Sequence, residues 1–148
     1  IMEITLIKAD RTEVKTTFEK LLKESKKTIL YFYPKDNTSG CSLEARNFTM
    51  HKKEFNDLWI QIIWVSKDSV KSHCNFIEKE ELNIDLISDE NLELQNKFGV
   101  LWEKSMYWKK YLWTIRSTFL LDNEGNILKE YRNVKVPNHI ENILTELK

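Results

Sequence analysis

The chain has 148 residues, of which 41% are apolar and 31% charged. This length and composition favour a globular protein with one core, so we expect a single domain over residues 1–148. Lys and Arg together number 23, as do Asp and Glu, and a formal net charge of zero provides no long-range field that would attract nucleic acid or an anionic membrane. No apolar run approaches the ~20 residues of a membrane span and no secretory signal is visible, so we expect a cytoplasmic protein, although a leader removed before Ile1 would leave the same sequence.

The predicted elements of the first half alternate between helix and strand. Apolar residues at helical spacing predict a first helix: Val14, Phe18, Leu21 and Leu22. Residues 28–33 and 59–65 are short, β-rich apolar runs, and each predicts a buried strand. Between these strands a second apolar stripe predicts a helix that begins at the first cysteine: Cys41, Ala45, Phe48 and Phe55.

The second half adds further helices and a hairpin. A third stripe predicts a helix that contains Val70, Cys74 and Ile77, and residues 92–98 predict a short helix that ends at Gly99. Residues 118–121 and 127–131 flank a loop rich in turn residues and predict a β-hairpin. Residues 140–147 predict a closing helix, opened by Pro137. The order of these elements indicates an α/β sandwich with a central mixed β-sheet flanked by helices.

Cys41 follows a strand and a loop that contains Pro34, Thr38 and Gly40, so its sulfur is expected in the first turn of a helix. There, unpaired backbone N–H groups and the helix dipole favour negative charge. An ordinary thiol is only ~3% thiolate at neutral pH, and such surroundings commonly lower the pKa of a cysteine to ~3.5–7.5. The pattern fits a nucleophilic thiolate, and the apolar stripe fits equally well a Cys41 that is a small core residue.

The segment around Cys41 resembles a known family. Tyr33-Pro34, Thr38, Cys41 and Glu44 match the Pro-x-x-x-Thr-x-x-Cys signature of the peroxiredoxins. The lead-in Tyr-Phe-Tyr-Pro-Lys-Asp is most similar to the bacterioferritin-comigratory, or Q-type, subfamily. Three more segments resemble the family in order and spacing: Val-Ser-Lys-Asp-Ser-Val at 65–70, Glu-Lys-Ser-Met-Tyr at 103–107 and Arg-Ser-Thr-Phe-Leu-Leu-Asp at 116–122.

The resemblance implies a thioredoxin-like fold and a thiol-dependent peroxidase that reduces hydrogen peroxide and organic hydroperoxides. Cys41 would be the peroxidatic thiolate, which attacks a peroxide oxygen and becomes a sulfenic acid. Thr38 would turn its hydroxyl toward the sulfur and the peroxide, and Pro34 would shield the thiolate from water. Arg116 would hold the thiolate and polarise the peroxide.

Each of these residues also has a purely structural interpretation. Thr38 can cap a helix, Pro34 can end a strand, and Arg116 can be a surface cation. Glu44 fits the family pattern too, but an acid in the first turn of a helix complements its dipole, so we assign it no catalytic role.

The second cysteine is the candidate resolving residue. Many Q-type members resemble one another in a cysteine five residues after the first, where this chain has Arg46. Cys74 lies 74 − 41 = 33 residues after Cys41 and fits the other arrangement of the subfamily. The resemblance thus implies an intramolecular Cys41–Cys74 disulfide. Two helix-borne cysteines need local unwinding to bring their Cα atoms within ~7 Å, so a one-cysteine peroxidase with a structural Cys74 is the alternative.

Two other functions compete with this interpretation. A disulfide oxidoreductase would need Cys-x-x-Cys, and position 44 is Glu. A redox-silent thioredoxin-like binding module is disfavoured because Pro34, Thr38, Cys41 and Arg116 occur together.

The same resemblance implies two partners, a hydroperoxide substrate and a thioredoxin or glutaredoxin-type reductant. It also implies that the protein is a monomer or a weak dimer. The three histidines share no ligand spacing, so we expect no metal and no other cofactor. Residues 102–113 interleave aromatic side chains with Lys, a pattern that can bind single-stranded nucleic acid. We favour a solvated wall near the active-site mouth for this segment.

Overall fold

The computed structural model describes residues 2–36, 39–106, 109–132, 143, 145 and 146, and the side chains of residues 39–41, 44, 104–106 and 109–111 lie outside this description. Most of the predicted closing helix therefore lies outside the described residues, although Ile143 is helical and buried. The described strands are β1 (Glu3–Ile7), β2 (Glu13–Thr17), β3 (Lys27–Phe32), β4 (Ile60–Ser66), β5 (Asp85–Ser88), β6 (Leu101–Met106), β7 (Lys109–Thr114), β8 (Ser117–Asp122) and β9 (Ile127–Tyr131). The helices are α1 (Phe18–Leu22), α2 (Ser39–Met50), α3 (Lys52–Asp57), α4 (Val70–Glu80) and α5 (Glu93–Phe98).

Seven of the strands form one mixed sheet in the order β2-β1-β5-β4-β3-β8-β9. The three central strands β5, β4 and β3 are parallel, and the outer strands on both sides are antiparallel to their neighbours. Parallel neighbours need a crossover connection, which α2 and α3 supply between β3 and β4, and α4 between β4 and β5. A mixed sheet with helices between its parallel strands confirms the α/β prediction.

The core has two layers because side chains alternate between the faces of each strand. In β3, Ile29 and Tyr31 belong to a cluster that includes residues of α2, α3 and α4, whereas Leu30 and Phe32 belong to a second cluster with residues of α1 and α5. Both clusters are rich in aromatic rings, and the two faces of the sheet are thus covered by different helices.

The first predicted helix is wrong over its first half. Val14 lies in β2, which pairs with β1 in an antiparallel hairpin, and the helix begins only at Phe18. The Thr17 hydroxyl accepts a hydrogen bond from the Lys20 N–H and caps α1. Val14 packs against the same cluster as Phe18, so one apolar stripe at helical spacing combined a strand residue with three helix residues.

Two further elements differ from the sequence prediction. The helix expected to contain both Phe48 and Phe55 is divided at His51, yet both rings stay in the same cluster with centroids 5.9 Å apart. The aromatic segment before Arg116 forms the hairpin β6–β7, a separate antiparallel sheet in which Trp102 faces Trp113. The short helix that ends at Gly99 is confirmed: Gly99 has φ 65°, which glycine adopts without strain.

Candidate active site

Cys41 occupies the first turn of α2, the next element after β3 in the chain. β3 ends at Phe32 and α2 begins at Ser39, so Cys41 is the third residue of the helix. The predicted position at a helix N-terminus is therefore confirmed for the backbone, while the Cys41 side chain and Thr38 lie outside the described residues. Backbone N–H groups of a first turn have no intrahelical acceptor and stabilise an anion placed there.

Arg116 reaches the same end of β3 through strand register. β8 runs antiparallel to β3, and Phe32 pairs with Ser117, so Arg116 lies one step past this pair, where β3 gives way to the loop before α2. The Arg116 Nη1–H donates to the Tyr31 hydroxyl oxygen at 2.8 Å, and the guanidinium carbon lies 6.0 Å from the Tyr31 ring centroid. Tyr31 is fully buried, so it holds the guanidinium at the carboxyl end of β3, from which the chain leads to Cys41.

Pro34 lies two residues after β3 and is buried. A proline here ends the strand, since it has no N–H for the next ladder bond, and fixes the first step of the loop. Pro34 and Arg116 thus both lie at the end of β3 from which the chain continues to α2. Their roles in a peroxide site stay a prediction.

A buried hydrogen-bond network lies just before Cys41 in the chain, and the sequence did not predict it. One Asp36 carboxylate oxygen accepts from the Tyr33 hydroxyl at 2.5 Å. The other lies 2.8 Å from the Ser72 hydroxyl and 2.8 Å from His73 Nδ1. The Asp36 N–H donates to an Asp68 carboxylate oxygen at 2.9 Å. Burial, followed by the negative Asp36 beside it, raises the pKa of Tyr33 well above its usual value, so Tyr33 stays a donor at neutral pH.

The same residues include the one group in the described part of the chain that has the composition of a metal site. Ligand atoms of Asp36, Asp68 and His73 lie within 4.8 Å of one another. Their oxygen and nitrogen atoms already bind neighbouring N–H and O–H groups, and His73 Nε2 lies 3.0 Å from the Ile87 carbonyl oxygen. The donor set is thus that of a satisfied hydrogen-bond network, which a metal ion would have to break.

Cys74 is a half-buried free thiol in the middle of α4. It packs against the cluster that also contains Ala45 and Phe48 of α2. An ion pair between Arg46 and Glu80, at 3.2 Å, further connects α2 to α4. Cys74 therefore lies on the helix that neighbours the one carrying Cys41.

Comparison with known proteins identifies the family. Residues 2–130 match the model of the AhpC/TSA family. The chain belongs to this AhpC/TSA family. It is 44% identical over 120 residues to the peroxiredoxin Bcp of Xanthomonas campestris pv. campestris, covering 81% of this chain and 75% of the relative. The Bacillus subtilis peroxiredoxin Bcp is 42% identical over 125 residues, covering 84% and 80%.

Solved structures of AhpC/TSA relatives agree with the sequence comparison. The X. campestris bacterioferritin comigratory protein superimposes with a TM-score of 0.86 at 38% identity, over 99% of this chain and 89% of that one. It was solved as trapped intermediate and ligand complexes that concern its alkyl peroxide reduction activity. Peroxiredoxin Q of Xylella fastidiosa superimposes with a TM-score of 0.85 at 36% identity, over 98% of this chain and 86% of that one. This AhpC/TSA protein has the thioredoxin-like fold and is a peroxiredoxin, a thiol peroxidase that uses a hydroperoxide substrate and a thiol reductant. No helix in the described residues has the length and apolar character needed to cross a membrane.

Proposed function

We propose that Cys41 is the peroxidatic cysteine of this peroxiredoxin, that Pro34, Thr38 and Arg116 form its peroxide site, and that Cys74 resolves the oxidised form. The register of β3 and β8 is the observation that carries this assignment. It puts Arg116 beside the end of β3, from which the chain leads to α2, the helix with Cys41 in its first turn. A cation and a helix N-terminus at one edge of a sheet favour a thiolate and the negative charge that develops on a departing oxygen.

In the first step, the Cys41 thiolate attacks one oxygen of the hydroperoxide. A sulfur–oxygen bond forms, the oxygen–oxygen bond breaks, and the leaving alkoxide or hydroxide takes up a proton to become an alcohol or water. Cysteine is thereby oxidised to sulfenic acid. Arg116 stabilises the leaving oxygen, the Thr38 hydroxyl donates toward the peroxide, and the buried Pro34 limits water access.

In the second step, the Cys74 thiolate attacks the Cys41 sulfur. A disulfide forms, the sulfur–oxygen bond of the sulfenic acid breaks, and the departing hydroxide takes up a proton to become water. A dithiol reductant of the thioredoxin or glutaredoxin type then returns both cysteines to thiols by disulfide exchange and is itself oxidised. The neighbouring helices support this pairing, because Cys74 shares a packing cluster with α2.

Stopped-flow mixing with hydrogen peroxide, followed by tryptophan fluorescence, tests the two cysteine roles. We expect Cys41→Ser to lose at least about a thousand-fold in the rate of peroxide consumption, because no other thiol has the helix-terminal position. Cys74→Ser should keep the first oxidation rate within about two-fold and lose turnover with thioredoxin. Full thioredoxin-dependent turnover of Cys74→Ser would contradict the resolving role and favour the one-cysteine alternative.

The finer partner assignments belong to the same proposal. Thioredoxin or a glutaredoxin-type protein is the expected reductant, and the protein is expected to act as a monomer or weak dimer. A cytoplasmic location, where such reductants keep thiols reduced, stays a prediction.

A further inference from the structure

The network around Asp36 joins the segment before Cys41 to the helix that carries Cys74. We define the Asp36 lock as Tyr33, Asp36, Asp68, Ser72 and His73. The lock has a side-chain part, in which the Asp36 carboxylate binds Tyr33, Ser72 and His73. Its backbone part is the Asp36 N–H bound to Asp68, whose carboxylate also accepts from the Ser66 hydroxyl at 2.7 Å.

The position of the lock relates it to both cysteines. Asp36 lies 41 − 36 = 5 residues before Cys41, in the loop that leads to α2. His73 immediately precedes Cys74 on α4. The lock therefore fastens the segment next to one cysteine to the turn of helix next to the other.

The hydrogen-bond geometry defines where the protons of the lock are. His73 Nε2 lies 3.0 Å from the Ile87 carbonyl oxygen, which can only accept, so Nε2 carries a hydrogen. His73 Nδ1 lies 2.8 Å from the Asp36 carboxylate, so one further proton lies between them. The two side chains are 0% and 1% exposed. They form a buried hydrogen-bonded pair, and both ring nitrogens of His73 have a partner.

A buried pair of this kind resists separation. Moving Asp36 away from His73 would leave buried polar groups without hydrogen-bond partners. A disulfide, however, requires Cα atoms within ~7 Å, whereas the axes of packed helices lie ~8–10 Å apart. The Cys74 thiol instead lies 3.9 Å from the Arg11 carbonyl oxygen, so joining it to Cys41 is expected to require a shift of one of the two segments. A shift of α4 at Cys74 displaces His73, and a shift of the loop before α2 displaces Asp36.

We propose that the Asp36 lock holds Cys41 in its peroxide-reactive arrangement and must open before Cys41 and Cys74 can join, so that its strength sets the rate of disulfide formation. The proposal rests on the proposed roles of the two cysteines. Its residues are positioning residues, since they act through the placement of α2 and α4. Because the closed form dominates, a weaker lock raises the small open population manyfold and leaves the closed fraction, and hence the peroxide reaction, nearly unchanged.

Three substitutions weaken the hydrogen bonds of the Asp36 lock to different extents. His73→Gln keeps a donor near the Nε2 position for the Ile87 carbonyl and loses the bond to Asp36. His73→Asn keeps a donor near the Nδ1 position and serves as the conservative rescue. Asp36→Asn keeps the shape and removes the charge. Asn75→Ala, an exposed position on the same helix, is the matched control.

Rapid-mixing and quench measurements should separate the two steps. For His73→Gln we expect disulfide formation at least about ten-fold faster than in the unmodified protein, with peroxide oxidation of Cys41 within about two-fold. Asp36→Asn should give a smaller acceleration, and His73→Asn and Asn75→Ala should lie close to the unmodified protein. Unchanged or slower disulfide formation in both His73→Gln and Asp36→Asn would overturn the proposal.

Hydrogen–deuterium exchange of the reduced protein gives a readout that does not depend on Cys74. Lock variants should exchange the amides of residues 39–50 at least about ten-fold faster while those of the central strands β3 and β4 change little, whereas a merely structural role would lower global stability and speed exchange in both regions. If the unmodified protein forms no Cys41–Cys74 disulfide, the resolving assignment fails, and exchange at residues 39–50 still decides the lock. Unchanged exchange there in His73→Gln and Asp36→Asn would refute it.

Discussion

Removing the Tyr31 hydroxyl should slow peroxide reduction without disturbing the core. The Tyr31→Phe substitution keeps the ring that packs against Trp64 and Phe48, with centroids 4.5 Å and 5.6 Å away. It removes the acceptor that holds the Arg116 guanidinium at 2.8 Å. Arg116 then loses one of the contacts that hold its guanidinium at the end of β3.

The magnitude follows from the kind of bond that is lost. A hydrogen bond to a charged group contributes about 1.5–3 kcal/mol, and each 1.4 kcal/mol is about a ten-fold change. The cation–π contact with the ring survives the substitution and retains about 0.5–1 kcal/mol of the positioning. We therefore expect the second-order rate constant for Cys41 oxidation to fall about ten-fold.

Stopped-flow oxidation by hydrogen peroxide measures this rate constant, and a urea titration of the same sample measures stability. Tyr131→Phe is the matched control, since Tyr131 lies on β9 and bonds to Glu146 through its own hydroxyl. The control should react at the unmodified rate. A Tyr31→Phe rate constant within two-fold of the unmodified protein would refute the idea that this bond aims Arg116.

Two stability predictions concern other parts of the fold. Phe48→Ala should lower the free energy of unfolding by about 3–5 kcal/mol, because Phe48 is fully buried among aromatic rings. The control Met50→Ala changes a side chain that is 72% exposed and should alter the free energy of unfolding by less than about 0.5 kcal/mol. Equal urea midpoints for the two variants would contradict this prediction. Hydrogen bonds from Asn126 and from the backbone N–H of Glu124 hold the pKa of Asp122 below its usual value. Asp122 therefore stabilises the fold above pH ~4, and this contribution is lost as the pH falls through the lowered pKa. Asp122→Asn should therefore reduce the urea midpoint at pH 6 and have little effect at pH 2, with Glu124→Gln as control, and an equal reduction at both values would show that the charge is not responsible.

The elements that the sequence predicts well are those with one unambiguous pattern. β3 and β4 are apolar and β-rich, and α4 carries a single apolar stripe, so each was found to within a few residues. The β6–β7 hairpin was not predicted because its connection at residues 107–108 is Tyr-Trp, without a Gly, Asn or Pro turn signal. β2 was taken for helix because Val14 lies four residues before Phe18, which is helical spacing. In the structure the two side chains pack in one cluster from different elements, which periodicity alone does not reveal.

The site divides in the same way. The position of Cys41 at a helix start follows from local sequence, but the approach of Arg116 depends on the pairing of Phe32 with Ser117, which are 117 − 32 = 85 positions apart. Only the family resemblance indicated it. His73 gave a signal that was available: it is a polar residue on the apolar stripe of α4, fully buried, and such a residue requires a partner. That the partner is Asp36 could not be read from the chain.

The identity of the oxidised sulfur decides whether Cys41 performs the peroxidase chemistry. Peptide mapping by mass spectrometry of the fully reduced protein, after one equivalent of hydrogen peroxide, locates that sulfur. We expect the unmodified protein to lose two hydrogen atoms as a Cys41–Cys74 disulfide, and Cys74→Ser to gain one oxygen atom on Cys41. Oxidation that falls first on Cys74, or that leaves Cys41 as a thiol, would contradict the assignment of Cys41 as the peroxidatic residue.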